Sequence, residues 1–334
     1  MNGSADGLYL FHLSLHGLLR GTSPELGRDP DTGGQITYVL ELVRALGRSP
    51  RVSRVDLVTR LVEDPAVGPD YAVPIEPLGE SVRIVRLPFG PKRYLRKELL
   101  WPHLPALVDR CVEHLRAQER LPHLIHTHYA DAGYVGVRLS QLLGIPLVHT
   151  GHSLGRTKRS RYLAAGRAEA SLERPFRFSQ RIPAEEEVLE NARLVLASTR
   201  QEVDEQWGAY ENFRPGRFAV VPPGVDTSRF SPPSPFRART SFPEIDRWLR
   251  EPHRPLVLAI SLALPATARL MLIPLALMSG TVLVNLAPSN PYSMAALATW
   301  QQGHFLNFNG LTRWVATLWP FLTLPFLLLI VRRP

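Results

Sequence analysis

Cysteine is nearly missing from this sequence. Cys111 is the only one among 334 residues, so no internal disulfide and no cysteine-built metal site can form. It lies among apolar neighbours on a predicted helix, which suits a buried inert thiol. The scarcity fits a reducing, cytoplasmic setting. Basic blocks are missing too, although the net charge is +9. The densest cluster, Arg156 to Arg161, is short and reads as a solvated loop, with no basic helix and interleaved aromatics beside it. Nucleic-acid binding is therefore not expected. Met1 to Gly7 has no basic stretch before an apolar run, so no secretory signal is expected either. The sharpest absence is of acid. All thirty Asp and Glu lie before residue 256, and residues 256–334 carry only Arg269, Arg313, Arg332 and Arg333 as charged groups.

What is present before that boundary alternates short apolar runs with helical spacing. Leu8–Leu13, Val55–Thr59, Val82–Leu87, Leu124–His128, Pro146–Thr150, Leu194–Ala197 and Phe218–Val221 predict strands. Gln35–Leu46, Leu104–Gln118, Asp131–Leu143, Ala184–Asn191 and Thr199–Trp207 predict helices. Nearly continuous apolar strands between helices predict an α/β fold, a parallel sheet covered on both faces. Such sheets bind ligands beyond the carboxyl ends of their strands. Three segments qualify as loops there. Asp29–Gln35 precedes a helix, and Gly33 and Gly34 would let a ligand approach the backbone; a plain tight turn remains open. In His126–Asp131 the two histidines would share one face of a strand, but no third metal ligand follows at a recognisable spacing. Asp131 reads as a helix cap, and Tyr129 as a cleft or wall residue. Thr150–Gly155 is followed by Lys158, which with Arg156 and Arg159 could neutralise a phosphate. His152 there either points into a site or is satisfied by a backbone carbonyl. A fourth segment, Arg181–Glu187, starts a helix. Its glutamates suit the dipole, and Arg181 just ahead could fork onto a phosphate.

Six segments together resemble the N-terminal domain of sucrose-phosphate synthases. They are Leu8–Ser14, Asp31–Gln35, Thr127–Tyr129, Thr150–Gly155 with Lys158, Arg181-Ile182 with Glu185-Glu186, and Val221–Asp226, collinear from about residue 7 to 261. The resemblance implies one Rossmann-like half of a retaining GT-B glycosyltransferase, which transfers glucose from UDP-glucose to fructose 6-phosphate. It implies that Gly33, Gly34 and Gln35 touch the sugars. It places Tyr129, Ser153, Lys158 and Arg181 on the acceptor, joined by Lys97, with the cations on its phosphate. It sets His152 beside the transferred glucose as the catalytic-site histidine. No metal and no tightly bound cofactor is implied, since the sugar nucleotide is a substrate.

The tail departs from the resemblance. After the predicted strand Leu256–Ser261 comes Leu262–Ala268, without the Arg and Lys that grip the donor diphosphate in that family. No carboxylate stands there for the donor sugars. UDP-glucose would then need a donor domain from elsewhere, and a non-catalytic sugar-phosphate binder is the alternative. The expected organisation is an acceptor-side domain over 1–230, a Pro-rich linker with a short helix over 231–255, and an apolar helical tail over 256–334. Leu256–Leu286 and Trp314–Val331 approach the length of a bilayer span, about 20 residues. Membrane contact through 256–331 and an unselected remnant both stay open.

Overall fold

The computed structural model describes residues 7–118, 120–227, 257–260 and 281–284. The chain divides into two units, Met1–Val225 and Asp226–Pro334. The first unit is built on eight strands: β1 (Leu8–Leu13), β2 (Val52–Arg60), β3 (Ile75–Pro77), β4 (Val82–Leu87), β5 (Leu124–His128), β6 (Leu147–Thr150), β7 (Leu194–Ala197) and β8 (Phe218–Val220). Their order across the sheet is β3-β4-β2-β1-β5-β6-β7-β8. All neighbours are parallel except the edge strand β3, which runs antiparallel to β4. β3 escapes sequence reading because a three-residue strand ending in Pro77 has neither length nor apolar alternation, and Pro suits an edge.

Helices cover both faces. α1 (Gly34–Gly47) turns Ile36, Val39, Leu40 and Val43 onto Leu10, Val55, Leu57 and Ile84. The opposite face of the sheet, with Tyr9, Phe11, Leu13, Val58 and Ile125, packs under α2 (Leu104–Ala117), α3 (Tyr129–Leu143) and α6 (Phe178–Asn191). Cys111 is buried there on α2, as its neighbours suggest. Removing a leucine from such a core costs about 2–5 kcal/mol, so both faces hold the strand ends in place. The β1–β5 register sets His12 opposite His126, a pairing with consequences below.

Four helical readings change. α6 begins at Phe178, six residues before Ala184, because Pro183 is accommodated inside it. α4 (Gly155–Ala164) covers the segment Arg156 to Arg161 read as a solvated loop, and α5 (Ala170–Phe176) follows where no element was predicted. α4 is rich in Arg and Lys and buries only Gly155, so it has no apolar stripe to betray it. Thr199–Trp207 is not an α-helix but a π-turn over Glu202–Gln206, followed by a 3₁₀ turn from Trp207. In the second unit, β9 (Val257–Ile260) falls within the predicted strand Leu256–Ser261 and pairs in parallel with β10 (Thr281–Val284), which lies where apolar composition predicts a helical tail. The linker and the rest of 256–334 lie outside the described residues. Among those described, no helix is long and apolar enough to cross a membrane.

Candidate functional site

The turn after β1 is built first by glycine. Gly17 has φ +80°, and a Cβ there would stand 2.5 Å from the Asp31 carbonyl oxygen, so only glycine fits. That contact brings the Asp29–Gln35 loop against β1. Within the loop, Asp29 accepts from the Asp31 amide at 2.8 Å and from Thr32 Oγ1 at 2.7 Å. Buried Asp31 accepts from the Lys97 amide at 2.8 Å and pairs with Lys97 Nζ. Gly33 and Gly34 face open space, since a Cβ on either would meet nothing within 4 Å. Gln35 donates from Nε2 to Ser14 Oγ at 3.3 Å, which ties the start of α1 to β1.

Two strained residues mark the ends of β5 and β6. Tyr129 has φ +77° and His152 φ +58°. Bulky residues avoid this region, and such strain gathers where a structure presents side chains to a site. Tyr129 is buried, with His16 edge-on at 4.6 Å and the Arg181 guanidinium 4.6 Å over its ring. His152 is exposed just past the carboxyl end of β6, yet enough protein surrounds its ring that burial pulls its pKa down to about 3. Its partner is not a backbone carbonyl but His128, whose Nδ1 lies 3.1 Å from His152 Nε2.

Arg181 joins these ends from behind. It lies inside α6, not ahead of it, and is almost fully buried. Its Nη2 donates to the Ser153 carbonyl at 2.6 Å, and its Nε to Glu185 at 3.0 Å. Glu185 is therefore more than a dipole partner. Its two oxygens accept the Gly155 amide at 3.1 and 3.0 Å, and it also accepts from Tyr210. Burial raises its pKa, although Arg181 opposes this. A Cβ on Gly155 would meet Glu185 at 2.7 Å, so glycine permits the grip.

Lys158 projects from α4, with Nζ 4.4 Å over the Phe176 ring. Burial lowers its pKa to about 8, and the charges of Arg181 and Lys97 push the same way. Burial also disfavours the Lys97 ammonium, but Asp31 and Glu98 outweigh it and raise its pKa. Lys97, Lys158 and Arg181 thus share one electrostatic corner. Arg156 and Arg159 do not join it, for Arg156 pairs with Glu186 and Glu211, and Arg159 with Glu169. Asp131 is not a cap. It lies inside α3 and takes a 2.9 Å bond from His16 Nδ1, which locks the β1 turn to α3.

The histidines were half legible. His126 and His128 do share a face, and the third partner is His12, from 114 residues upstream of His126. Candidate ligand atoms of the three buried rings lie within 4.8 Å of one another, a set able to hold a metal ion. The rings also bond to their neighbours. His12 Nδ1 stands 3.3 Å from His128 Nε2, and His126 Nε2 stands 2.9 Å from Thr150 Oγ1. Only strand register brings His12 here, and no spacing in the sequence announces it.

Residues 33–224 match the family model described as a glycosyl transferase 4-like domain, more than half of the chain. This chain belongs to that glycosyltransferase family. The probable sucrose-phosphate synthase 2 of Arabidopsis thaliana is 41% identical over 311 residues, covering 76% of this chain. The sucrose-phosphate synthase of Zea mays is 39% identical over 320 residues, again covering 76% of this chain. The chain spans about 30% of the length of each of these relatives. Among solved structures, the sucrose-phosphate synthase of Thermosynechococcus elongatus aligns with TM-score 0.61 at 24% identity, covering 90% of this chain and 68% of that one. The catalytic domain of starch synthase IV from Arabidopsis thaliana aligns at TM-score 0.52 and 16% identity, covering 90% of this chain and 73% of that one. These neighbours are GT-B glycosyltransferases, which agrees with the fold class expected from the motifs.

Proposed function

We propose that this glycosyltransferase-family chain carries the acceptor side of a sucrose-phosphate-synthase-type enzyme and binds fructose 6-phosphate. The observation that supports it most is the shared corner of Lys97, Lys158 and Arg181, where burial lowers the Lys158 pKa to about 8 and the charges of the other two push the same way. A dianionic phosphate would replace the solvation that burial removes from Lys158 and relieve its repulsion from the other two cations. Arg181 and Lys158 take the phosphate, with Lys97 beside them. Ser153 and Tyr129 bound the acceptor sugar. Gly33, Gly34 and Gln35 lie where the open α1 terminus can approach sugar hydroxyls. His152 stands beside the transferred glucose.

In a retaining transfer the leaving phosphate can take the acceptor proton, so the acceptor half chiefly positions the hydroxyl. Charge on the leaving diphosphate needs cations from the donor half. Residues 256–334 hold four arginines and no lysine or carboxylate, which favours a second reading, a sugar-phosphate binder without transfer by this chain alone. UDP-glucose would bind only where a donor domain is supplied.

A thermal shift of the full chain separates these readings from neither binding. A ligand at a hundred times its dissociation constant raises stability by about 2.7 kcal/mol. Fructose 6-phosphate is expected to raise the Tm, with fructose and UDP-glucose inactive. Equal shifts for fructose and its phosphate would remove the phosphate role of Lys158 and Arg181. Turnover of UDP-glucose by the chain alone would remove the second reading.

A further inference from the structure

His152 does not stand alone beside the cleft. Its Nε2 meets His128 Nδ1 at 3.1 Å, and His128 Nε2 meets His12 Nδ1 at 3.3 Å. The three rings form one file from exposed His152, past the carboxyl end of β6, into the core, where His12 and His128 are buried. The file ends at His12 Nε2, which is buried and has no hydrogen-bond partner among the described residues. His126 does not continue it, because its Nε2 is engaged with Thr150 Oγ1.

A neutral imidazole carries one N–H and one bare nitrogen. Two linked contacts then allow only two patterns, since every ring must donate in the same direction. In one, His12 Nδ1–H donates to His128 Nε2, and His128 Nδ1–H donates to His152 Nε2. His152 then carries its own proton on Nδ1, and His12 Nε2 is bare. In the other, every bond reverses and a buried N–H is left on His12 Nε2 with nothing to accept it. A buried N–H without an acceptor is the rarer defect. The exposed end has no such preference, because water satisfies either nitrogen of His152.

The structure assigns His128 and His12 as positioning residues for His152: they orient its ring and fix its proton on Nδ1, so that it meets a substrate as a hydrogen-bond donor. Burial keeps all three rings neutral, with His12 and His152 lowered to about 3 and His128 well below its ordinary value. Other charged or titratable groups near the file are few. Tyr38 of α1 stands edge-on to His152 at 5.0 Å and to His128 at 6.2 Å. His126 lies beside both buried rings, and His149 and His16 act on the file electrostatically. No carboxylate bonds to any ring of the file among the described residues. The consequence for chemistry rests on the proposed function: a donor at this place selects an acceptor oxygen on the transferred sugar.

The test uses the full-length chain labelled with ¹⁵N at histidine, without ligand, so it stands apart from fructose 6-phosphate binding. Long-range ¹H–¹⁵N spectra distinguish protonated from bare ring nitrogens, and loss of a signal in H152Q assigns the ring. The expected result is protonated Nδ1 and bare Nε2 on His152. His128→Phe removes the donor to His152 Nε2 and is expected to shift His152 towards Nε2–H. His12→Asn, whose amide can donate from the place of Nδ1, is expected to keep the original signature. A wild-type His152 protonated on Nε2 overturns the assignment, and that reading needs no variant to fold. So does an unchanged His152 in folded His128→Phe. Stoichiometric zinc uptake by His12, His126 and His128 would overturn it as well, because metal would then set the tautomers.

Discussion

The two ends of the sheet treat buried charge in opposite ways. Near the amino ends of β2 and β4, fully buried Asp56 accepts from Tyr9, Arg54 and Arg83 at 2.7 to 3.2 Å, with His114 at 3.3 Å. Every lone pair of that carboxylate is spoken for, and the cluster closes on itself. At the carboxyl ends the balance is different. Lys97 pairs with Asp31 and Glu98, and Arg181 with Glu185, while burial lowers the Lys158 pKa and the charges of Arg181 and Lys97 push the same way. A saturated network holds strands together. A buried cation whose charged form is disfavoured is poised for a ligand of the opposite sign.

That contrast can be broken at either end. The largest expected effect is on stability. Asp56→Ala strands Arg54 and Arg83 and should cost about 3 kcal/mol in chemical denaturation, while leaving fructose 6-phosphate affinity in the folded fraction unchanged. Lys158→Met should do the reverse. Fructose 6-phosphate affinity by calorimetry should fall tenfold or more, as expected for a lost charge-assisted bond of about 2 kcal/mol. Unliganded stability at pH 7 should hold or rise, because a disfavoured charge has been removed.

The pH dependence sharpens the same point. Burial lowers the folded Lys158 pKa to about 8 from an ordinary value of 10.5. Between those values the unfolded chain binds more protons, so this group makes unliganded stability rise with pH across that window. Below pH 8 its stabilising share is lost. Phosphate affinity should run the other way, declining above pH 8 by up to tenfold per unit, and fructose should show no such trend. An affinity flat from pH 7 to 9 would separate Lys158 from the phosphate. The smallest effect is expected from Tyr210→Phe, about 1 kcal/mol in thermal unfolding, because Glu185 keeps Arg181 and the Gly155 amide.

Much of the fold was readable wherever burial imposes a period. Val82–Leu87 and Leu124–His128 have the bounds that their apolar runs predict, and α1 follows its apolar stripe. α4 was not readable, because a helix of Arg, Lys and Ser buries almost nothing of its own. The candidate site was readable as a set of loops and hardly at all as a network. Arg181, Lys158 and His152 could be named from their segments. The grip of Glu185 on Gly155 spans thirty residues, and the bond of His16 to Asp131 spans 115. Both run between segments that sequence treats as unrelated.

The sequence by itself determined the alternation of strands and helices, the loops at the carboxyl ends and the change of composition after residue 255. These follow from local periodicity and from which residues exclude or require water. Only the tertiary structure decided which cations share a corner, which acid holds Arg181, and that His12 completes a file ending at His152. Strand order and register make those choices, because they set the distances through which hydrogen bonds and charges act.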